Sequence, residues 1–219
     1  MTTPQDLFLV SLDVPGKNPI EQGDLSLALA GAELIDLLGV RALVLDGDRI
    51  VPGPTLTTGD RLLDEAGAAL VRQEPYETVE DWLWRRGQGL ATAYRDVLDS
   101  EGQLTGKRPH WLSLRGGAGT PADTPARRHA ADRWWSHEPV LAGLAGTLGI
   151  RSERPAEEPG EEEPGEEEPG EGEPGEDRPG EEAVVTVLLA VGDAVTELEA
   201  VRERRRIENI AFDNIWRAP

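Results

Sequence analysis

Chemistry in this chain would have to come from carboxylates and arginines, because it holds no cysteine and only three histidines. Disulfides and thiolate metal sites are therefore excluded. His110, His129 and His137 lack the i, i+4 spacing that sets two imidazoles on one helix face, so no metal centre is expected. The run Gly117-Ala118-Gly119-Thr120-Pro121-Ala122 matches a dinucleotide-type G-x-G-x-x-A, but no βαβ pattern surrounds it and Pro121 lacks an N–H, so it reads as a loop. Asp60, Asp64 and Glu65 line the acidic side of one helix without a base or metal partner. The expectation is a protein with no cofactor and no catalytic constellation, hence not an enzyme. The densest cationic group is Arg-Glu-Arg-Arg-Arg at 202 to 206, which reads either as a helix surface paired with Glu199 and Glu203 or as a face for an acidic partner.

Acids outnumber bases 42 to 22, for a net charge of −20, which argues against nucleic acid as a partner. Most of that charge is local. Residues 157 to 182 hold fourteen acids and one base, a net of −13, leaving −7 for the remainder. The segment repeats Pro-Gly-Glu-Glu-Glu. Proline every fifth residue forbids a continuing helix and dense like charge opposes collapse, so 152 to 182 is expected to be a disordered acidic insert. It reads either as a solubilising spacer or as an intramolecular competitor for basic faces. Residues 1 to 151 and 183 to 219 are then one domain, since loop closure grows only logarithmically with loop length. Twenty of the basic residues are Arg against Lys17 and Lys107, a bias that a GC-rich bacterial genome produces. The start, MTTPQDLFLV, has no basic n-region, and no segment reaches the ~18 apolar residues of a membrane span, so a soluble cytoplasmic protein is expected.

The elements that would position these residues are mostly helical. Thr3 as N-cap and Pro4 at N1 open a first helix with Leu7 and Val10 on one side. Asp24 is the expected cap of a second, in which Leu25, Ala28, Leu29, Ala32 and Ile35 share a face, Gly31 permits a close neighbour and Gly39 suits a left-handed C-cap. RALVLDGDRIV reads as a hairpin around Asp46-Gly47. Helices follow over 59 to 73 and 78 to 85, the latter with a Thr78/Asp81 capping box, and again from Leu90 to a stop at Gly102. A second hairpin is expected from Leu104 to Leu114, then two helices opened by Thr124-Pro125 and Glu138-Pro139, and one long or two shorter terminal helices. The six Trp residues read as core anchors.

Four segments in the first ninety residues, DLFLVSLDV (6 to 14), DLSLALAGAELIDLLG (24 to 39), TTGDRLLDEA (57 to 66) and ETVEDWL (77 to 83), occur in an order and spacing that resemble the Golgi phosphoprotein 3 family. These are peripheral membrane proteins that bind phosphatidylinositol 4-phosphate. The resemblance runs to Leu114, resumes from Ala126 and is interrupted between Ser152 and Glu182. It implies a single-domain helical bundle with small β-hairpins, as the periodicity does.

The family's headgroup pocket uses one Trp and three Arg residues, and the register puts these positions on Glu21, Ala30, Gln88 and Ala91. All four depart from the pattern, and a carboxylate at Glu21 would repel phosphate. Arg85, Arg86 and Arg95 lie near two of them and read either as a displaced anion site or as solvated helix-face charges. The resemblance also implies a membrane-dipping hairpin, here with Lys107 and Arg108 at a cationic tip beside Trp111 and Leu112. The expected function is non-enzymatic, peripheral association with anionic lipid, phosphoinositide or bulk, on the inner face of a membrane. The alternative is a cytoplasmic adaptor that keeps the fold, has lost lipid binding and takes a protein partner.

Overall fold

The computed structural model describes residues 1–13, 20–104, 123–151 and 179–216. In chain order these form α1 (Thr3–Asp13), α2 (Gln22–Gly39), β1 (Leu43–Asp46), β2 (Arg49–Pro52), α3 (Arg61–Ala68), α4 (Val79–Arg86), α5 (Leu90–Ser100), α6 (Pro125–Trp135), α7 (Pro139–Thr147) and α8 (Pro179–Trp216). The mostly helical bundle with a small hairpin is the architecture the periodicity predicts. The expected second hairpin, with Lys107, Arg108, Trp111 and Leu112, lies outside the described residues, as do Gly117 to Ala122, His110 and residues 152 to 178 of the acidic insert. The terminal segment is one helix, and it opens at Pro179.

α2 is the axis of the bundle. A helix apolar on nearly every side belongs inside a fold, and every α2 residue from Asp24 to Ile35 is buried. α1, α3, α4, α5, α7 and α8 all pack on it, α8 most extensively. That contact joins chain on either side of the insert into one core. It depends on Gly31, where a Cβ would lie only 2.3 Å from Val191 Cγ2, so the expected close approach is present and the neighbour is α8. Phe8, Leu29, Leu34, Trp82, Leu83, Leu141 and Val187 fill the centre with no exposure.

Capping follows the sequence in four places and departs from it at α1, where Thr3, the expected N-cap, is the first helical residue, and at α2. Asp60 accepts from Leu63 N–H, Thr124 from Arg127 N–H and Glu138 from Val140 and Leu141 N–H. Thr78 accepts from Asp81 N–H at 3.1 Å and donates to the Asp81 carboxylate at 2.8 Å, so that carboxylate meets the hydroxyl. α2, however, starts at Gln22 behind an extended Glu21 that makes no side-chain cap bond, so Asp24 is not its cap. Asp24 is taken instead by a partner 178 residues away, described below. The left-handed position expected at Gly39 falls on Arg41, with φ 58. In the hairpin Asp46 pairs with Arg49, so the turn is Gly47-Asp48, one residue later than expected. An Arg49–Thr78 bridge ties this hairpin to the start of α4.

A buried polar network fastens α1 to α6 and α7. Asp6, with no exposure, accepts from Arg133 at 2.7 Å and faces His129 Nδ1 at 3.1 Å, while Arg133 also reaches Glu138 at 2.7 Å. Nearby, Asp36 of α2 accepts the Thr3 N–H at 2.8 Å, which satisfies an orphan donor at the α1 start. Burial raises the Asp36 carboxyl above its ordinary value. A raised acid pKa means that the folded chain holds the proton more tightly than the unfolded one, so this group's contribution improves as pH falls through the folded pKa and is complete below the unfolded value of 3.8. Asp36→Asn, which keeps an acceptor for Thr3, is therefore expected to raise the melting temperature slightly at pH 7. The advantage should shrink toward zero near pH 3.5, read from paired melts across pH; a difference that grows on acidification would contradict this.

Candidate functional site

The first turn of α2, the α4–α5 junction and α8 enclose a pocket of ≈ 400 Å³. Its walls combine Gln22, Ser26 and Gln88 with the apolar sides of Leu27, Trp84 and Leu198. Among the described residues no charged side chain lines it. Ser26 locks two walls together: its hydroxyl donates to the Gln22 carbonyl at 2.8 Å and accepts the Ala91 N–H at 3.1 Å. The Gln22 amide reaches the Thr92 hydroxyl, which fixes α2 to α5 at the rim. Two helix starts, α2 and α5, meet at this opening: Glu21 makes no side-chain cap on α2, and the Ser26 hydroxyl caps α5.

Arg202 lies against the Gly23 wall, and it is committed. It donates to both Asp24 oxygens at 2.7 and 2.8 Å, and the hydrogen bond to Asp24 holds its guanidinium above its ordinary pKa. A Cβ on Gly23 would lie 2.7 Å from Arg202 Nη2 and 2.9 Å from Leu198 Cδ2, so glycine is what lets α8 close over this end of α2. Of the expected helix-surface cations at 202 to 206, one is thus a tertiary ion-pair partner. Arg206 pairs locally with Glu203 at 3.6 Å.

Three of the four positions expected for headgroup contacts border this pocket without carrying them, and the fourth, Ala30, lies in the core. Gln88 lines the pocket and Glu21 precedes its Gln22 wall. Ala91 is buried behind Ser26. Ala30 has no exposure, and its carbonyl accepts the Trp82 indole N–H at 3.2 Å.

Arg85, Arg86 and Arg95 are not brought together on one ligand position. Arg85 makes two bonds to Glu77, at 2.6 and 2.7 Å, and sits over the Trp82 ring at 5.1 Å. Arg86 turns inward and grips Glu33 of α2 with both arms, at 2.7 and 2.8 Å, while also donating to the Leu62 carbonyl at 3.0 Å. Tyr94 completes that site with a 3.1 Å bond to Glu33. Burial pushes the Glu33 carboxyl up, against the pull of Arg86 and Tyr94, and the Tyr94 phenol is pushed well up by the same desolvation. Arg95 is exposed on α5 and enters no ion pair among the described residues.

A second recess, of ≈ 220 Å³, opens between the hairpin turn, α4 and α8 and carries Asp48, Glu80, Asp193 and Glu197. Among the described residues no cluster of His, Cys, Asp or Glu has metal-binding geometry. Asp60 and Asp64 hold the fold locally, Asp60 through Gln5 and the Leu63 N–H, Asp64 through the N–H and hydroxyl of Thr58. Trp82 and Trp134 are buried as expected of anchors, but Trp135 is 51% exposed. No described helix is long and apolar enough to cross a membrane.

The family model for Golgi phosphoprotein 3 (GPP34) matches residues 4–215. No curated protein matches the chain.

Proposed function

The chain belongs to the Golgi phosphoprotein 3 family, and from that membership we propose that it is a non-enzymatic protein that attaches peripherally to anionic membrane by bulk charge, without selecting a 4-phosphate headgroup. One observation carries the loss of selectivity: among the described residues, the pocket bordered by the expected headgroup positions Glu21, Gln88 and Ala91 has uncharged walls, and the neighbouring Arg202 is consumed by Asp24. A phosphate entering there would find no cation among the described lining residues. Attachment is assigned to Arg95 and to Lys107 and Arg108 of the expected hairpin. Each basic residue near an anionic surface contributes only ~1 kcal/mol, so the affinity is modest.

In liposome co-sedimentation, vesicles with phosphatidylserine and vesicles with phosphatidylinositol 4-phosphate at matched charge are expected to bind equally. Binding should fall steeply as added salt shortens screening from about 30 Å at 0.01 M to about 8 Å at 0.15 M. Preferential, salt-resistant binding to phosphatidylinositol 4-phosphate would overturn the proposal.

A specific observation favours a second reading, a protein-interaction adaptor. Residues 203 to 209 of α8 are all exposed, with Ile207 at 59%, so this helix carries a surface that the bundle does not cover. Absence of binding to any anionic vesicle at low salt would select the adaptor.

A further inference from the structure

We propose that the pocket between α2, the α4–α5 junction and α8 binds an uncharged polyhydroxylated ring, either a free sugar or the headgroup of a neutral glycolipid. This rests on the reading above that the pocket does not read phosphate, and it names what the pocket takes instead.

Charge narrows the ligand first. An anion would find no cation among the described lining residues, and the adjacent Arg202 is already spent on Asp24. A cation would find no carboxylate among the described lining residues. A neutral ligand needs no counter-charge. Polarity narrows it further, because the polar groups are of both kinds. The Gln88 amide donates and accepts, the uncapped N–H groups at the α2 start donate, and the Ser26 oxygen retains a lone pair after its bonds to Gln22 and Ala91. A ring bearing several hydroxyls, each both donor and acceptor, matches that mixture, whereas an apolar ligand would leave these groups unsatisfied. Leu27, Trp84 and Leu198 supply the apolar side against which the C–H face of such a ring packs, with Trp84 as the aromatic platform. The volume, ≈ 400 Å³, falls at the small-ligand end of ordinary binding pockets, which run from about 300 Å³.

The full chain, isotopically labelled, is titrated with methyl α-glucoside, with myo-inositol and with inorganic phosphate at constant ionic strength, following backbone amides. The expected result is saturable shifts at Gly23, Gln88 and Gly89 with one or both polyols and none with phosphate. Gln88→Leu, at an exposed position, should weaken that binding about fivefold to tenfold without lowering the melting temperature, and Trp84→Leu should weaken it further. Absence of polyol shifts at these amides, equal shifts with phosphate, or unchanged affinity in both variants would each overturn the proposal. Vesicles of phosphatidylcholine with and without monoglucosyl diacylglycerol separate the two sources. Recruitment by the glucolipid that free methyl α-glucoside competes away assigns a lipid headgroup, and solution binding without recruitment assigns a soluble sugar. A parallel arm with phosphatidylserine vesicles at low salt keeps the two proposals separable: failure there sinks membrane attachment while leaving the polyol site standing.

Discussion

Arg86→Ala is expected to cost about 3–5 kcal/mol of stability, because it strands a carboxylate inside the fold. Glu33 has no exposure and is held by two Arg86 bonds of 2.7 and 2.8 Å, with Tyr94 at 3.1 Å. Without Arg86 only the tyrosine hydroxyl remains, and the Leu62 carbonyl also loses a donor. Attraction between the charges does not by itself decide the outcome, since desolvating both costs nearly as much as the pair returns. What decides it is the asymmetry between removing one partner and removing both. The double variant Glu33→Leu/Arg86→Leu should therefore be markedly more stable than Arg86→Ala alone. Arg86→Lys should recover little, because an ammonium cannot reproduce the two parallel bonds while also reaching Leu62. Urea midpoints at constant m-value measure all three. If Arg86→Ala costs under about 1 kcal/mol, the pair is not the buried clamp described here. The functional corollary is that Arg86 is unavailable to an anionic headgroup, so Arg95 is the α5-side cation whose replacement by Ala should weaken vesicle binding.

How much of this was legible in the sequence depends on the range over which each feature is determined. Helix faces and most caps are set within four residues, and there the reading held: Leu25, Ala28, Leu29, Ala32 and Ile35 all turn inward, and Thr78, Thr124 and Glu138 all cap. The ionic partners are set by tertiary packing. Asp24 was read as a local cap because Asp before an apolar run is a cap signal, but Arg202, 178 residues on, claims the side chain. Arg85 and Arg86 were read as candidate ligands or solvated charges, and both carry carboxylate partners, Glu77 and Glu33. One signal for the second pair was present. Glu33 sits in ALAGAELIDLL, apolar on all sides, and a carboxylate there must find a cation or lose its charge. Which cation answers it was not written locally. The pocket is less legible still, because Gln22, Trp84, Gln88 and Leu198 come from three parts of the chain that only the docking of α8 brings together.

That docking needs a missing side chain at its centre as well as at Gly23, so Gly31→Ala is expected to destabilise the domain by about 1–3 kcal/mol, and Gly31→Val by more. At an ordinary helix position the same change would stabilise by roughly 1 kcal/mol, since alanine is the better helix former. The sign reverses here because the new Cβ would stand 2.3 Å from Val191 Cγ2, with Val187 Cγ1 at 3.6 Å and Leu83 Cδ2 at 3.7 Å behind it. Val191 has no exposure and cannot swing into solvent, and Ala28, Ala32 and Val187 around it are equally enclosed. The strain must therefore be relieved by moving α8 as a whole. Compensation offers the sharper test: in Gly31→Ala/Val191→Ala the lost valine methyls make room for the added one, and the double variant should be more stable than the sum of the two single changes predicts. The site responds along with the core, because α8 also brings Leu198 to the pocket and Arg202 to Asp24. In Gly31→Ala, amide shifts at Gly23 and Gln88 should accompany the loss of stability, and Val191→Ala should restore both. An additive cycle, or a Gly31→Ala variant more stable than wild type, would mean that α2 and α8 do not pack through this glycine.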